Sequence, residues 1–255
     1  MKESYDGTPA GATGRLDTSL EILQNHKEYD FVTARAATEE EILRAHTHDH
    51  IRKVRRDYDS RDEGLIYKVA TLAAGGSIMA ADIAMRGEPC FALIRPPGHH
   101  ASSSSYWGFC YFNNIAVSLL HLMANGLIES AYILDFDLHT GDGNINILGD
   151  DPRFTIYNPH GGGDDDYLAD AQENLDAAPN VDIIVASAGF DQYEDDWGSN
   201  LSTRAFFKIG KMMHEFAEKR CKGRRYGLLE GGYNFTDLGK NVLAFCEGLQ
   251  GKQIE

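Results

Sequence analysis

The chain has 255 residues, 24 basic and 39 acidic, for a net charge of −15. That length suits one α/β domain with a full core, spanning residues 1–255. The acidic excess leaves no basic stripe to cover phosphates, which excludes nucleic acid as the expected partner, and no run approaches the roughly 18 apolar residues of a membrane span.

In chain order, Thr38 with Glu41 three residues on forms a capping box and predicts a helix start. Gly64 to Arg86 reads as a long alanine-rich helix. Phe91-Ala92-Leu93-Ile94 is an apolar, strand-like run that ends at Arg95-Pro96-Pro97. Helical spacing returns from Asn114 to Met123 and stops at Gly126. Ala131 to His139 starts as a buried strand, and Phe154-Thr155-Ile156-Tyr157 and Val181 to Ser187 are further strands. Ser202 can cap a helix to about Arg220, with Phe206, Ile209, Met213 and Phe216 on one face. Tyr226-Gly227-Leu228-Leu229 is a last short strand, followed by a helix from about Thr236. Strands alternating with helices imply a parallel sheet covered on both faces. In such sheets ligands sit beyond the carboxyl ends of the strands.

The unusual chemistry collects at four of those ends: Arg95 to Gly108, Asp135 to Asp142, Gly189 to Asp191, and Glu230 to Tyr233. Ala131-Tyr132-Ile133-Leu134-Asp135-Phe136-Asp137-Leu138-His139 ends in carboxylate–x–carboxylate–x–imidazole. Side chains on a strand alternate faces, so Asp135, Asp137 and His139 are expected to point to one side. Such groups are costly to bury unpaired, and a divalent metal would offset that cost. A polar strand end capped by solvent is the alternative. His99 and His100 are adjacent behind two prolines, and neighbouring imidazoles suit acid–base work near neutral pH. The four cysteines (Cys90, Cys110, Cys221, Cys246) are scattered without a C-x-x-C, as expected of reduced thiols. The N-terminal Met1 to Gly7 lacks the apolar segment of a secretion signal, so a cytoplasmic location is expected.

Five motifs then occur in order: Arg95-Pro96-Pro97-Gly98-His99-His100-Ala101; Gly108-Phe109-Cys110-Tyr111-Phe112-Asn113-Asn114; Asp135-x-Asp137-x-His139-x-Gly141-Asp142-Gly143; Ser187-Ala188-Gly189-Phe190-Asp191; and Glu230-Gly231-Gly232-Tyr233. Together they resemble the zinc-dependent histone deacetylase family, which includes acetylpolyamine amidohydrolases and acetoin-utilisation proteins. The match runs from about residue 15 to the C-terminus. The resemblance implies a three-layer α/β/α fold around a mostly parallel sheet, the arginase/deacetylase-like architecture. It implies an amidohydrolase that releases acetate from acetylated amines, either acetyl-lysine in a protein or a small acetylated polyamine.

The resemblance also assigns roles. Asp137, His139 and Asp191 match the zinc ligands, a shell that would equally accept Fe(II) or Co(II). His100 matches the general base and later acid, and His99 its more buried partner. Asp135 would orient His99, and Asp142 would orient His100. Tyr233 matches the donor to the tetrahedral oxyanion. Gly108 and Phe109 match the wall of a channel for a straight alkyl chain, and Arg15 matches an arginine behind the zinc that lines an acetate exit. Potassium, held through Asp135 and backbone carbonyls of the metal loop, is a candidate second ion.

The chain departs from the family pattern in three places. Thr140 stands where many members have a second histidine. After Tyr157 the segment Asn158 to Gly163, followed by acidic Asp164-Asp165-Asp166-Tyr167, replaces a longer rim loop; the second channel aromatic has no clear match, and His160 takes its place. An aspartate that grips the substrate backbone should fall between Arg56 and Glu63; Asp57, Asp59 and Asp62 qualify, and Asp59 is the choice. Two other readings stand beside the deacetylase. One is an arginase-like ureohydrolase, which needs a second-metal set. The other is a non-catalytic acyl-lysine binding module, which would not need His99, His100 and Tyr233.

Overall fold

The structure is a computed structural model that describes residues 4–57 and 64–253. Five strands form one parallel sheet: β1 (Cys90–Ala92), β2 (Ala131–Asp135), β3 (Phe154–Tyr157), β4 (Ile183–Ala188) and β5 (Arg225–Leu229), in the order β1-β5-β4-β2-β3. Because every pairing is parallel, all carboxyl ends lie on one edge. The register makes that edge level: Ala92 pairs with Leu228, Leu228 with Ser187, and Ser187 with Asp135. The loops that leave this row carry His99, Asp137, Asp191 and Tyr233.

The helices are α1 (Asp17–Asn25), α2 (Glu39–Leu43), α3 (His48–Arg55), α4 (Leu65–Ala84), α5 (Asn114–Ala124), α6 (Asp142–Leu148), α7 (Gly163–Ala177), α8 (Thr203–Arg220) and α9 (Leu238–Gln250). They cover both faces, which gives the expected three-layer α/β/α fold. One core packs α4 and α5 on the side of Ala131, Ile133, Ile183 and Val185. The other packs α8 and α9 on the side of Tyr132, Leu134, Ile184 and Ala186. Full burial of each large apolar side chain contributes about 1.5–3 kcal/mol, so neither face could be left bare. The predicted stripe Phe206, Ile209, Met213 and Phe216 is buried, and Ser202 accepts the Ala205 N–H as the cap of α8. The Thr38–Glu41 capping box is formed in both directions.

Three expectations change. The strand at Phe91 to Ile94 is shorter, because the Ile94 N–H turns back to the Ala92 carbonyl at 3.0 Å ahead of the two prolines. The acidic run after Tyr157 is the first turn of α7, where carboxylates favour the positive helix end. Asp164 there accepts both the backbone N–H and the hydroxyl of Ser202. Finally, β2 stops at Asp135, so alternation does not carry on to Asp137 and His139.

Candidate active site

Once the chain leaves the sheet at Asp135, local hydrogen bonds shape the metal loop. The Asp135 carboxylate takes the Asp137 N–H at 3.3 Å, and the Asp137 carboxylate takes the His139 N–H at 3.0 Å. Asp191, beyond β4, takes the Leu138 N–H at 3.1 Å. Asp137, His139 and Asp191 thereby meet, each with a ligand atom within 4.8 Å of the others. His139 Nδ1 lies 3.2 Å from Asp137 Oδ1 and 3.5 Å from Asp191 Oδ2. Asp135 is outside this trio, with its side chain turned to His99.

The electrostatics of the trio are those of a group that could hold a cation. Asp137 and then Asp191 draw the His139 imidazole up to about 10. Burial and the neighbouring Asp137 push Asp191 up to about 6. Asp191 Oδ2 is buried without a hydrogen-bond partner among the described residues. Two buried carboxylates with one oxygen unclaimed and an imidazole alongside fit a zinc ion, which takes oxygen and nitrogen donors together.

The backbone around the trio has no room for side chains. A Cβ on Gly189 would lie 2.3 Å from Asp137 Cα, and one on Gly231 would lie 2.5 Å from Asp191 Oδ2. The Gly231 N–H also donates to Asp137 Oδ2 at 2.8 Å.

The two histidines differ in environment. His99 has Nδ1 3.2 Å from Asp135 and Nε2 3.6 Å from Asp137. Burial opposes charging His99, but Asp137 and Asp135 outweigh it and hold the pKa well above the ordinary value. His100 has Nδ1 2.6 Å from Asp142 Oδ1. Burial and then His99 lower its pKa, which favours a neutral ring with Nδ1–H on Asp142 and a free lone pair at Nε2.

On the other side, Tyr233 is fixed by its backbone, whose N–H donates to Asp196 Oδ2 at 2.6 Å. Its ring lies against Trp197 (centroids 4.1 Å apart), the edge of Phe109 (6.0 Å) and the Arg15 guanidinium (5.1 Å). Burial pushes the phenol up, so it keeps its proton at neutral pH. Arg15 is fully buried and donates to the backbone carbonyls of Gly232 and Glu230. Gly108 brings the next loop onto His100: its φ is +58°, and a Cβ there would sit 2.4 Å from the imidazole Cδ2.

Other expectations do not meet the site in this way. Asp59 and Asp62 lie outside the described residues, and Asp57 accepts the Tyr106 hydroxyl. His160 is largely exposed and turned to Asp170, 3.4 Å away, instead of standing as a channel wall. Near the place the resemblance gives to potassium, two groups have partners. The Asp135 carbonyl takes the Asn158 amide at 3.1 Å, and Tyr157 gives its hydroxyl to Asp170.

Several supporting residues carried no role in the sequence reading. Glu230, fully buried and pushed by burial to about 7, accepts the N–H groups of Gly98 and His99 and so anchors the histidine loop. Asn144 bridges Asp135 and the Asn113 side chain. Beneath the same loop, His46 and His50 stack with centroids 4.5 Å apart. His46 Nε2 accepts the Asn113 N–H at 2.9 Å while its Nδ1 faces the Ser102 carbonyl, so the ring must be neutral. Burial and then His50 push it down to about 3 from 6.5. A histidine depressed on folding contributes stability that is complete above its unfolded pKa and is lost as pH falls toward the folded value. Between pH 6.5 and 4 the urea midpoint of the wild type should therefore lose ground to that of His46→Gln, beyond the changes that the two proteins share. Equal pH slopes for the two proteins would exclude this role for His46.

Comparison with known proteins agrees with the geometry. The family model for the histone deacetylase domain matches residues 11–168 and 155–249. A probable deacetylase of Archaeoglobus fulgidus is 31% identical over 254 residues, covering 80% of this chain and 70% of that protein. One from Methanothermobacter thermautotrophicus is 31% identical, covering 88% and 80%. The polyamine deacetylase HDAC10 of Danio rerio is 29% identical, covering 93% of this chain and 44% of that protein. The crystal structure of the HDA15 HD domain superposes with a TM-score of 0.83 at 24% identity, covering 100% of this chain and 87% of that one, and so shares its fold. Among the described residues, no helix is long and apolar enough to cross a membrane.

Proposed function

This chain belongs to the histone deacetylase family, as a compact prokaryotic-type member, and from that premise we propose that it is a zinc-dependent amidohydrolase acting in one catalytic domain. Its substrates are acetylated amines, either acetyl-lysine side chains or small acetylated polyamines, and its product is acetate. The observation that carries this reading is the Asp137–His139–Asp191 cluster, with an unclaimed buried oxygen, beside a His100 already tied to Asp142. The four free cysteines agree with a cytoplasmic location.

Held by Asp137, His139 and Asp191, zinc would supply Lewis acidity at the acetamide carbonyl and at the attacking water. His100 offers Nε2 to take the proton of that water, while Asp142 fixes the ring and stabilises the imidazolium that forms. Tyr233 keeps its phenolic proton and donates it as a hydrogen bond to the oxyanion of the tetrahedral intermediate. As the C–N bond breaks, His100 returns a proton to the leaving amine. His99, bracketed by Asp135 and Asp137, stays charged and steadies the negative charge that builds up nearby. Phe109 and Gly108 flank the path of the alkyl chain, and Arg15 backs Tyr233 on the inner side.

The test is acetate release by the zinc-reconstituted protein from an acetyl-lysine peptide and from an acetylated polyamine. Turnover of either supports the proposal, and the preferred one identifies the substrate class. No acetate from both, with zinc bound, would overturn it.

A further inference from the structure

Trp107 is a large aromatic side chain left 53% exposed, yet it is held in place on two sides. Its ring lies over the His100 imidazole, with centroids 3.9 Å apart and planes 33° from parallel. Its indole N–H donates to Asp142 Oδ2 at 2.9 Å, while Asp142 Oδ1 engages His100 Nδ1 at 2.6 Å. The three side chains therefore close a circuit in which the carboxylate bridges the indole and the imidazole. The backbone is shaped to deliver the indole there. The Cys110 N–H closes a turn onto the Trp107 carbonyl at 3.0 Å, and the two residues inside that turn, Gly108 and Phe109, have φ of +58° and +66°. A non-glycine residue in this region is strained and persists only where its surroundings demand it.

The Asp142 side chain is itself half exposed. Water can compete for both of its oxygens, and besides His100 the carboxylate at the start of α6 is held by the Gly143 backbone and by Trp107. Among the described residues, Trp107 is the side chain that claims the oxygen not facing His100.

We propose that Trp107 is a positioning residue for the His100–Asp142 pair, its N–H locking the carboxylate in the orientation that grips the imidazole and its ring sealing one face of that imidazole from solvent. This rests on the reading of His100 as the general base. Loss of an orienting hydrogen bond of this kind costs about 10- to 100-fold in activity.

The test uses Trp107→Phe, which keeps a ring and lacks the N–H, alone and combined with Asp142→Ala. Trp107→Phe should lower kcat about tenfold with KM within about twofold. In the Asp142→Ala background the same substitution should change kcat less than about twofold, since the group it acts through is gone. A raised KM at unchanged kcat would overturn the proposal and make Trp107 a substrate wall only. An equal kcat loss in both backgrounds would overturn it as well.

A second readout needs no turnover. The chain has two tryptophans, so two indole N–H resonances are expected, and the one lost in Trp107→Phe is that of Trp107. Asp142→Ala should shift the Trp107 resonance and speed its exchange with water, leaving that of Trp197 in place. An unmoved Trp107 resonance refutes the hydrogen bond whatever the activity, while absent turnover with a shifted resonance counts against the hydrolase reading alone.

Discussion

Tyr233→Phe is expected to lower kcat for acetamide hydrolysis by about 10²- to 10³-fold, the usual cost of one oxyanion donor, with KM nearly unchanged. The expectation rests on what the substitution leaves alone. The Tyr233 backbone N–H stays on Asp196, and the ring keeps Trp197, Phe109 and Arg15 around it. Only the hydroxyl is lost. An interaction made only in the transition state lowers kcat and kcat/KM together. Zinc content and thermal midpoint should match the wild type, since the ring is not a ligand and its packing is retained. Full activity in the variant would remove Tyr233 from the mechanism.

Gly231→Ala should be nearly as damaging, although glycine has no chemistry of its own. Its Cβ would lie 2.5 Å from Asp191 Oδ2 and 2.6 Å from Asp137 Oδ2. Real Cβ atoms do not approach so closely, so both carboxylates must move, and they belong to the proposed metal site. The Gly231 N–H that holds Asp137 would be displaced with them. Zinc affinity and activity should fall by about 10- to 100-fold or more, and the strain should cost about 1–3 kcal/mol of stability. Plasma mass spectrometry after dialysis reads the first effect and urea unfolding the second. A variant with normal zinc content would mean that the ion sits elsewhere.

The groups proposed to do the chemistry were legible because they are short motifs at strand ends. Parallel strands with a level register bring any such ends together, so alternation of strands and helices was enough to gather His99, Asp137, Asp191 and Tyr233. What was not legible depends on pairings far apart in sequence. Glu230 reaches across to the Gly98 and His99 N–H groups, and His46 reaches the Asn113 N–H. In a single sequence a buried acid or a buried histidine pair has no local signature, because its partner can sit anywhere. Trp107 was equally silent, since nothing nearby announces that its N–H will find Asp142. The metal loop was misread for a different reason. Strand alternation was extended past Asp135, where side-chain-to-backbone hydrogen bonds take over from the sheet ladder. The acidic start of α7 did carry a signal, in the helical spacing of Leu168, Ala171 and Leu175, all buried. Its three aspartates were read as part of a shortened rim loop instead.

The most direct test of the account is acetate release by one preparation of the full chain, measured as purified, after chelation, and after zinc is restored. The account predicts turnover that disappears on chelation and returns as zinc approaches one ion per chain. Turnover that survives complete removal of metal would contradict it, because Asp137, His139 and Asp191 would then be gathered for something other than holding the ion the reaction needs.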